Sequence, residues 1–156
     1  MEEMNLHPIV IHFPIALLTL YSIFELIRFQ KVIEKPYVFY IKAFLVTFGA
    51  LGALAGVITG AITSGWAIGG PRIFALHQIF GLSTLILSIG IAKGYLFHWQ
   101  RPNWYSEHVL RPRVLVPLAL LLLIAITITG GLGAAMTRGT HFDPFMAPIF
   151  KLLGVY

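Results

Sequence analysis

Two histidines and two prolines stand at the head of a long apolar run, His7-Pro8-Ile9-Val10-Ile11-His12-Phe13-Pro14-Ile15-Ala16-Leu17. An imidazole in such a run is costly to keep, and ionisable residues inside membrane segments tend to be functional. His77 opens a second apolar run five residues after Arg72, which places it about 7.5 Å below that arginine on a helix rising 1.5 Å per residue. His12 reaches a similar depth if its own helix starts near Pro8. Two imidazoles at matched depth on different helices suit the axial positions of a haem iron. A bare copper or zinc ion wants three or four ligands, which His7 and His141 could complete only by folding inward.

The surroundings of His77 fit a flat cofactor. Gly81 lies one turn on and on the same face, leaving room beneath a porphyrin. Arg72 and Arg138 stand at helix ends, where a guanidinium would pair with propionates. Plainer readings exist for each residue: a histidine that links helices by hydrogen bonding, and an arginine that anchors at the headgroups. His98 and His108 read as interfacial. His98 is 21 residues past His77, about 31 Å along a helix, but the other helices offer it no partner. One outer site is therefore favoured over a transmembrane wire. Glu25, three residues before Arg28, reads as an intrahelical ion pair in preference to a proton relay.

These residues need helices to hold them. Of the 156 residues, 58% are apolar and 11% charged, against about 25% charged in a soluble domain. A chain this short cannot bury so much apolar surface in water, so the natural solvent is a bilayer. Spans of about 20 apolar residues fall near 8–29, 41–62, 73–97 and 114–137, and backbone groups in hydrocarbon must bond internally. The fold class is all-α: a four-helix membrane bundle in one domain, 1–156, with 139–156 as an outer interfacial tail. Pro14 either starts the main part of the first helix or kinks one continuous helix.

Basic residues give the orientation. Arg28, Lys31, Lys35, Lys42, Lys93, Arg101, Arg111 and Arg113 fall on one side, and Arg72, Arg138 and Lys151 on the other. The bias places both termini outside a bacterial or archaeal cytoplasmic membrane. The acidic start lacks the basic region of a secretory signal, so the first apolar run is expected to stay as a helix. The formal charge of +5 is split among loops and is no nucleic-acid footprint. The absence of cysteine excludes disulfides, iron–sulfur ligation and thioether-linked haem in this chain. Gly52, Gly56 and Gly60 line one face of the second helix, and Gly130, Gly131 and Gly133 end the fourth. Such small faces favour close helix packing, with a flat cofactor against Gly56 and Gly131 as the other reading. The two hairpins share a layout, although their sequences do not visibly match.

The opening stretch resembles a bacterial family of four-helix membrane proteins, domain of unknown function 2231, whose signature reads His-Pro-x-x-Val-His-Phe-Pro-Ile-Ala-Leu. Ile11 stands here in place of its valine. His77 matches a histidine near the outer end of that family's third helix, and Thr129-Gly130-Gly131-Leu132-Gly133 approximates its fourth-helix ending. The resemblance implies a four-helix membrane domain found beside redox proteins, with b-type haem as the expected cofactor and no established activity.

The residues and the resemblance together lead to a membrane b-type cytochrome subunit. One haem b near the outer face is held by His12 and His77. Electrons pass between quinol and a periplasmic or extracellular cytochrome, alongside other membrane redox subunits, in an electron-transfer role that is not itself catalytic. Two alternatives stand beside it: a haem-free quinone-binding anchor, and a structural or assembly subunit of a respiratory or photosynthetic complex.

Overall fold

The computed structural model describes residues 7–27, 35–100, 111–141 and 143–155. Their helices are α1 (His7–Leu26), α2 (Pro36–Thr63), α3 (Arg72–Gln100), α4 (Pro112–Arg138) and the short α5 (Ala147–Leu153). The first four are long and apolar enough to cross a membrane. At 28 residues, α2 is about 42 Å long, well beyond the roughly 30 Å of a hydrocarbon core. Pro36 and Pro112 sit in the first turns of α2 and α4, where a missing N–H loses no helical bond. Pro14 lies inside α1, so the first helix is continuous.

The four long helices form a ring in chain order. α1 packs on α2 and α3 on α4 as the closer pairs, while α2–α3 and α1–α4 close the ring. The polarity of the bundle is that of a membrane protein. Ile9, Phe13, Leu51, Ile62, Ile86 and Leu121 face outward, whereas Ser22, Glu25, Lys42, Thr84 and Ser88 are buried. Hydrocarbon has no need of a polar exterior, and the interior is where polar groups find partners.

Side-chain volume explains the α1–α2 contact. Gly49 sits against Leu18, and a methyl group at Gly52 would lie 3.0 Å from Phe13 and 3.1 Å from Pro14. Further along, Gly56 faces Ile11 and Gly60 faces His7. The glycine face of α2 is therefore filled by α1 side chains, which is the packing reading of those residues.

A second apolar cluster closes the histidine end. Met146 and Phe150, from α5 and its lead-in, bury themselves against Leu132 and Ala135 of α4, with Ile73, Leu76 and Phe80 of α3 packed around them. The tail thus docks on the bundle, while Phe145 and Leu152 stay outward. The turn between α2 and α3 is held by Gln78. Its Nε2 donates to the Ala67 carbonyl at 2.7 Å and its Oε1 accepts from Gly69 N–H at 2.9 Å. Gly65, Gly69 and Gly70 take positive φ in this turn, which glycine adopts without steric penalty.

The opposite end holds a buried ion pair. Lys42 Nζ lies 2.8 Å from Glu25 Oε2, and Tyr95 O–H donates to the same oxygen at 3.1 Å. Glu25 is thus partnered from α2 and α3, and Arg28 lies outside the described residues. Lys42, counted above among the basic loop residues, is instead a buried residue of α2. Tyr21 packs edge-on against Tyr95 with ring centroids 6.0 Å apart.

Candidate functional site

A stripe of inward positions runs down α1: His7, Ile11, Pro14, Leu18, Tyr21, Ser22 and Glu25, spaced by three and four and each buried or half-buried. On a 3.6-residue helix this is one face. His7 and Glu25 are its two ionisable members apart from Tyr21, one at each end. His12 is off the stripe. It is exposed, and its Nδ1 bonds the Pro8 carbonyl one turn back on the same helix.

The expected juxtaposition of His12 with His77 is therefore not the one that forms. His7 meets His77, with ring centroids 6.5 Å apart and planes at 85°. His7 Nδ1 lies 3.0 Å from Thr59 Oγ1 on α2, and His77 Nδ1 lies 3.1 Å from the Thr129 carbonyl on α4. Both contacts need a glycine nearby. A methyl group at Gly60 would come within 3.1 Å of the His7 ring, and one at Gly133 within 3.3 Å of the His77 ring. One imidazole pair thus ties all four long helices together.

Proton assignment follows from the partners. The Thr129 carbonyl only accepts, so His77 Nδ1 carries the hydrogen. Thr59 Oγ1 is 2.9 Å from the Ala55 carbonyl and 3.1 Å from that of Gly56. Thr59 O–H donates to that pair, as helical threonines usually arrange it, and His7 also hydrogen-bonds the Gly56 backbone. His77 is then an Nδ1–H tautomer whose Nε2 carries the lone pair. Metal-ligating histidines are prepared in the same way, with the other ring N–H given to a protein acceptor.

The two halves of the chain repeat this construction. His7 and Thr59 are 52 residues apart, and so are His77 and Thr129. His7 and His77 occupy equivalent places in the two hairpins, 70 residues apart, and the same offset relates Glu25 to Tyr95. Equivalent positions therefore meet at both ends of the bundle, and the alternation of closer and looser helix pairs around the ring has the same two-fold pattern.

The remaining expected site residues lie elsewhere. Arg72 Nε donates to the Leu153 carbonyl at 2.7 Å, so this guanidinium secures the end of α5. The room at Gly131 is taken by Met146, Gly81 faces Thr129 Cγ2 at 3.7 Å, and Gly56 faces Ile11. Arg138 and His141 are exposed at and just beyond the end of α4. Among the described residues, no group of three or more His, Cys, Asp or Glu side chains is placed to hold a metal ion. His98 packs on Phe39 at 5.1 Å, near the Glu25 end, and His108 lies outside the described residues. Two imidazoles are the side chains that would hold a haem iron, and they fall short of the three or four ligands of a bare-ion site.

A family model described as a predicted membrane protein (DUF2231) matches residues 3–143. No curated protein and no solved structure matches the chain.

Proposed function

The chain belongs to the DUF2231 family of predicted membrane proteins, and from that premise we propose that it is a b-type cytochrome subunit. In this reading His7 and His77 would hold one haem b at the histidine end of the bundle. The observation that carries it is the imidazole pair, 6.5 Å between ring centroids, with each Nδ1 bonded to a neighbouring helix. With metal–imidazole bonds of about 2 Å, two rings spaced by about this distance would hold one ion between them. Equivalent histidines from two equivalent hairpins would hold one iron.

When bound, haem supplies reversible one-electron chemistry. The protein's share is ligation, orientation and exclusion of water. Thr59 and Thr129 fix the ring planes, Gly60 and Gly133 let the rings approach their helices, and the apolar cluster around Phe150 covers the end of the bundle. The histidine end faces outside a bacterial or archaeal cytoplasmic membrane, with both termini on that side. A haem held there would supply electron transfer between quinol and an extracytoplasmic partner, within a larger complex.

The test is a reduced-minus-oxidised spectrum of protein purified from haem-replete cells. A b-type Soret and alpha band is expected, lost in His7→Ala and His77→Ala and kept in His12→Ala. Colourless protein overturns the proposal. A second reading has its own support, since α1 and tail side chains fill the space at Gly56 and Gly131. The histidines would then be a polar brace in a structural subunit. Colourless protein whose complex still assembles after double replacement of His7 and His77 would favour neither haem nor brace.

A further inference from the structure

We propose that the loop between α2 and α3, residues 64–71, is a lipid anchor of the histidine end. Trp66 and Ile68 lie in lipid at the headgroup boundary, and Gln78 holds the loop at that depth. This role does not depend on what the imidazole pair binds.

The charges of α3 mark the boundary. Arg72 opens the helix and Lys93 is the next charged residue. Residues 73–92 between them span about 30 Å at 1.5 Å per residue, the thickness of a hydrocarbon core. The loop folds back beside this stretch. Gln78 lies six residues past Arg72, about 9 Å further along the helix. The amide of an extended glutamine lies about 5 Å from its own Cα, and it bonds the Ala67 carbonyl at 2.7 Å and the Gly69 N–H at 2.9 Å. Ala67 and Gly69 are therefore level with the first two turns of α3, at or below the boundary that Arg72 marks.

The chemistry of the loop suits that depth. Gly65-Trp66-Ala67-Ile68-Gly69-Gly70-Pro71 carries no charge. The N–H groups of Gly65, Trp66, Ala67 and Gly69 all donate to protein oxygens, as they must where water is scarce. Trp66 and Ile68 nevertheless stand outward, 71% and 95% exposed. Trp66 does so at φ 63°, a left-handed backbone that is costly for a bulky side chain and persists where its surroundings favour it. Water gives an exposed indole no such gain, whereas tryptophan is enriched at membrane boundaries. Ile62 in the last turn of α2 and Ile79 beside Gln78 are also outward, so the loop continues the lipid-facing surface of the two helices it joins. The exposed Arg72 stands at the level of the headgroup phosphates. Gln78 directly follows His77, so the same contact sets the depth of the imidazole pair, about 7.5 Å beneath Arg72.

The chain has no cysteine, so Ile68→Cys takes a single nitroxide label. The full-length variant is placed in phosphatidylcholine bilayers, and relaxation of the label by oxygen, which concentrates in lipid, is compared with relaxation by a water-soluble nickel chelate. The expected result is preferential relaxation by oxygen, close to that of a label at Ile79→Cys. Emission of Trp66, read with Trp99→Phe and Trp104→Phe, is expected to be quenched by phosphatidylcholine brominated high on its chains and spared by aqueous iodide. Gln78→Leu removes both hydrogen bonds, and is expected to shift the label toward nickel and Trp66 toward iodide. A label open to nickel with Trp66 quenched by iodide, in protein with Gln78 intact, overturns the proposal by placing the loop in water. Protection of Trp66 from both bromine and iodide overturns it as well, and means that a second copy or another protein covers the loop. A label unmoved by Gln78→Leu overturns the holding role of Gln78. If Gln78→Leu fails to fold, Gln78→Glu takes its place, since it keeps the acceptor for Gly69 and loses the donor to Ala67.

Discussion

His7 and His12 are five residues apart, so their side chains leave α1 about 140° from each other at 100° per residue. Both cannot enter the bundle. His7 falls on the stripe that ends in Glu25, and His12 falls on the face occupied by Ile9 and Phe13, both outward. Replacing His7 by Ala removes a half-buried hydrogen bond to Thr59 and is expected to destabilise the bundle by about 1 kcal/mol. His12→Ala should leave unfolding in detergent unchanged, since its ring bonds only its own helix. Equal destabilisation by the two replacements would contradict the placement. The stretch singled out in the sequence does carry His7, but depth arithmetic set His77 level with His12, five residues along α1 from the ring that it meets. The angle was missing as well, because depth along a helix says nothing of direction around it. The spacing 7-11-14-18-21-25 held that information and is readable as a face. The Thr59 contact was not readable, because two helices must first be set in register.

At the scale of elements, α2 owes its fit to α1 to missing side chains. A methyl group at Gly49 runs into Leu18, which is fully buried. Gly49→Ala is expected to cost about 1–3 kcal/mol through overpacking. Gly90, on α3, has nothing within 4 Å of an added methyl group. There Gly→Ala should be neutral or stabilise by up to about 1 kcal/mol, since alanine loses less freedom in a helix. Unfolding free energies of the two variants check the contrast, and a destabilising Gly90→Ala would mean an unrecognised contact at that face. Glycine periodicity was visible in the sequence and so was its packing meaning. The fate of Gly131 was not, because it depends on Met146 folding back from the tail. Arg72 tells the same story, since its carbonyl partner at Leu153 lies 81 residues on.

For the whole molecule, the two hairpins meet on shared positions at each end, His7 with His77 and Glu25 with Tyr95. Four spans and an all-α bundle follow from hydropathy and length alone. The polar interior does not, because the charge of Lys42 looks like a loop residue until α2 is seen to begin at Pro36. That ion pair carries the last prediction. Glu25 and Lys42 are 3% and 7% exposed, so each depends on the other for its charge to be tolerated. Taking one partner away leaves a buried charge unpaired, at a typical cost of about 3–5 kcal/mol, whereas replacing both by groups of similar volume is often close to neutral. Glu25→Gln and Lys42→Met should each destabilise the protein strongly. The double variant should be more stable than Lys42→Met alone, because the carboxylate left behind is then neutral. Tyr95 keeps an oxygen to donate to when Glu25 becomes glutamine, so the double variant retains the α1–α3 link. A double-mutant cycle by unfolding measures the coupling directly. Additive single effects would mean that the pair is solvated, and that the Glu25 end of the bundle is open to water.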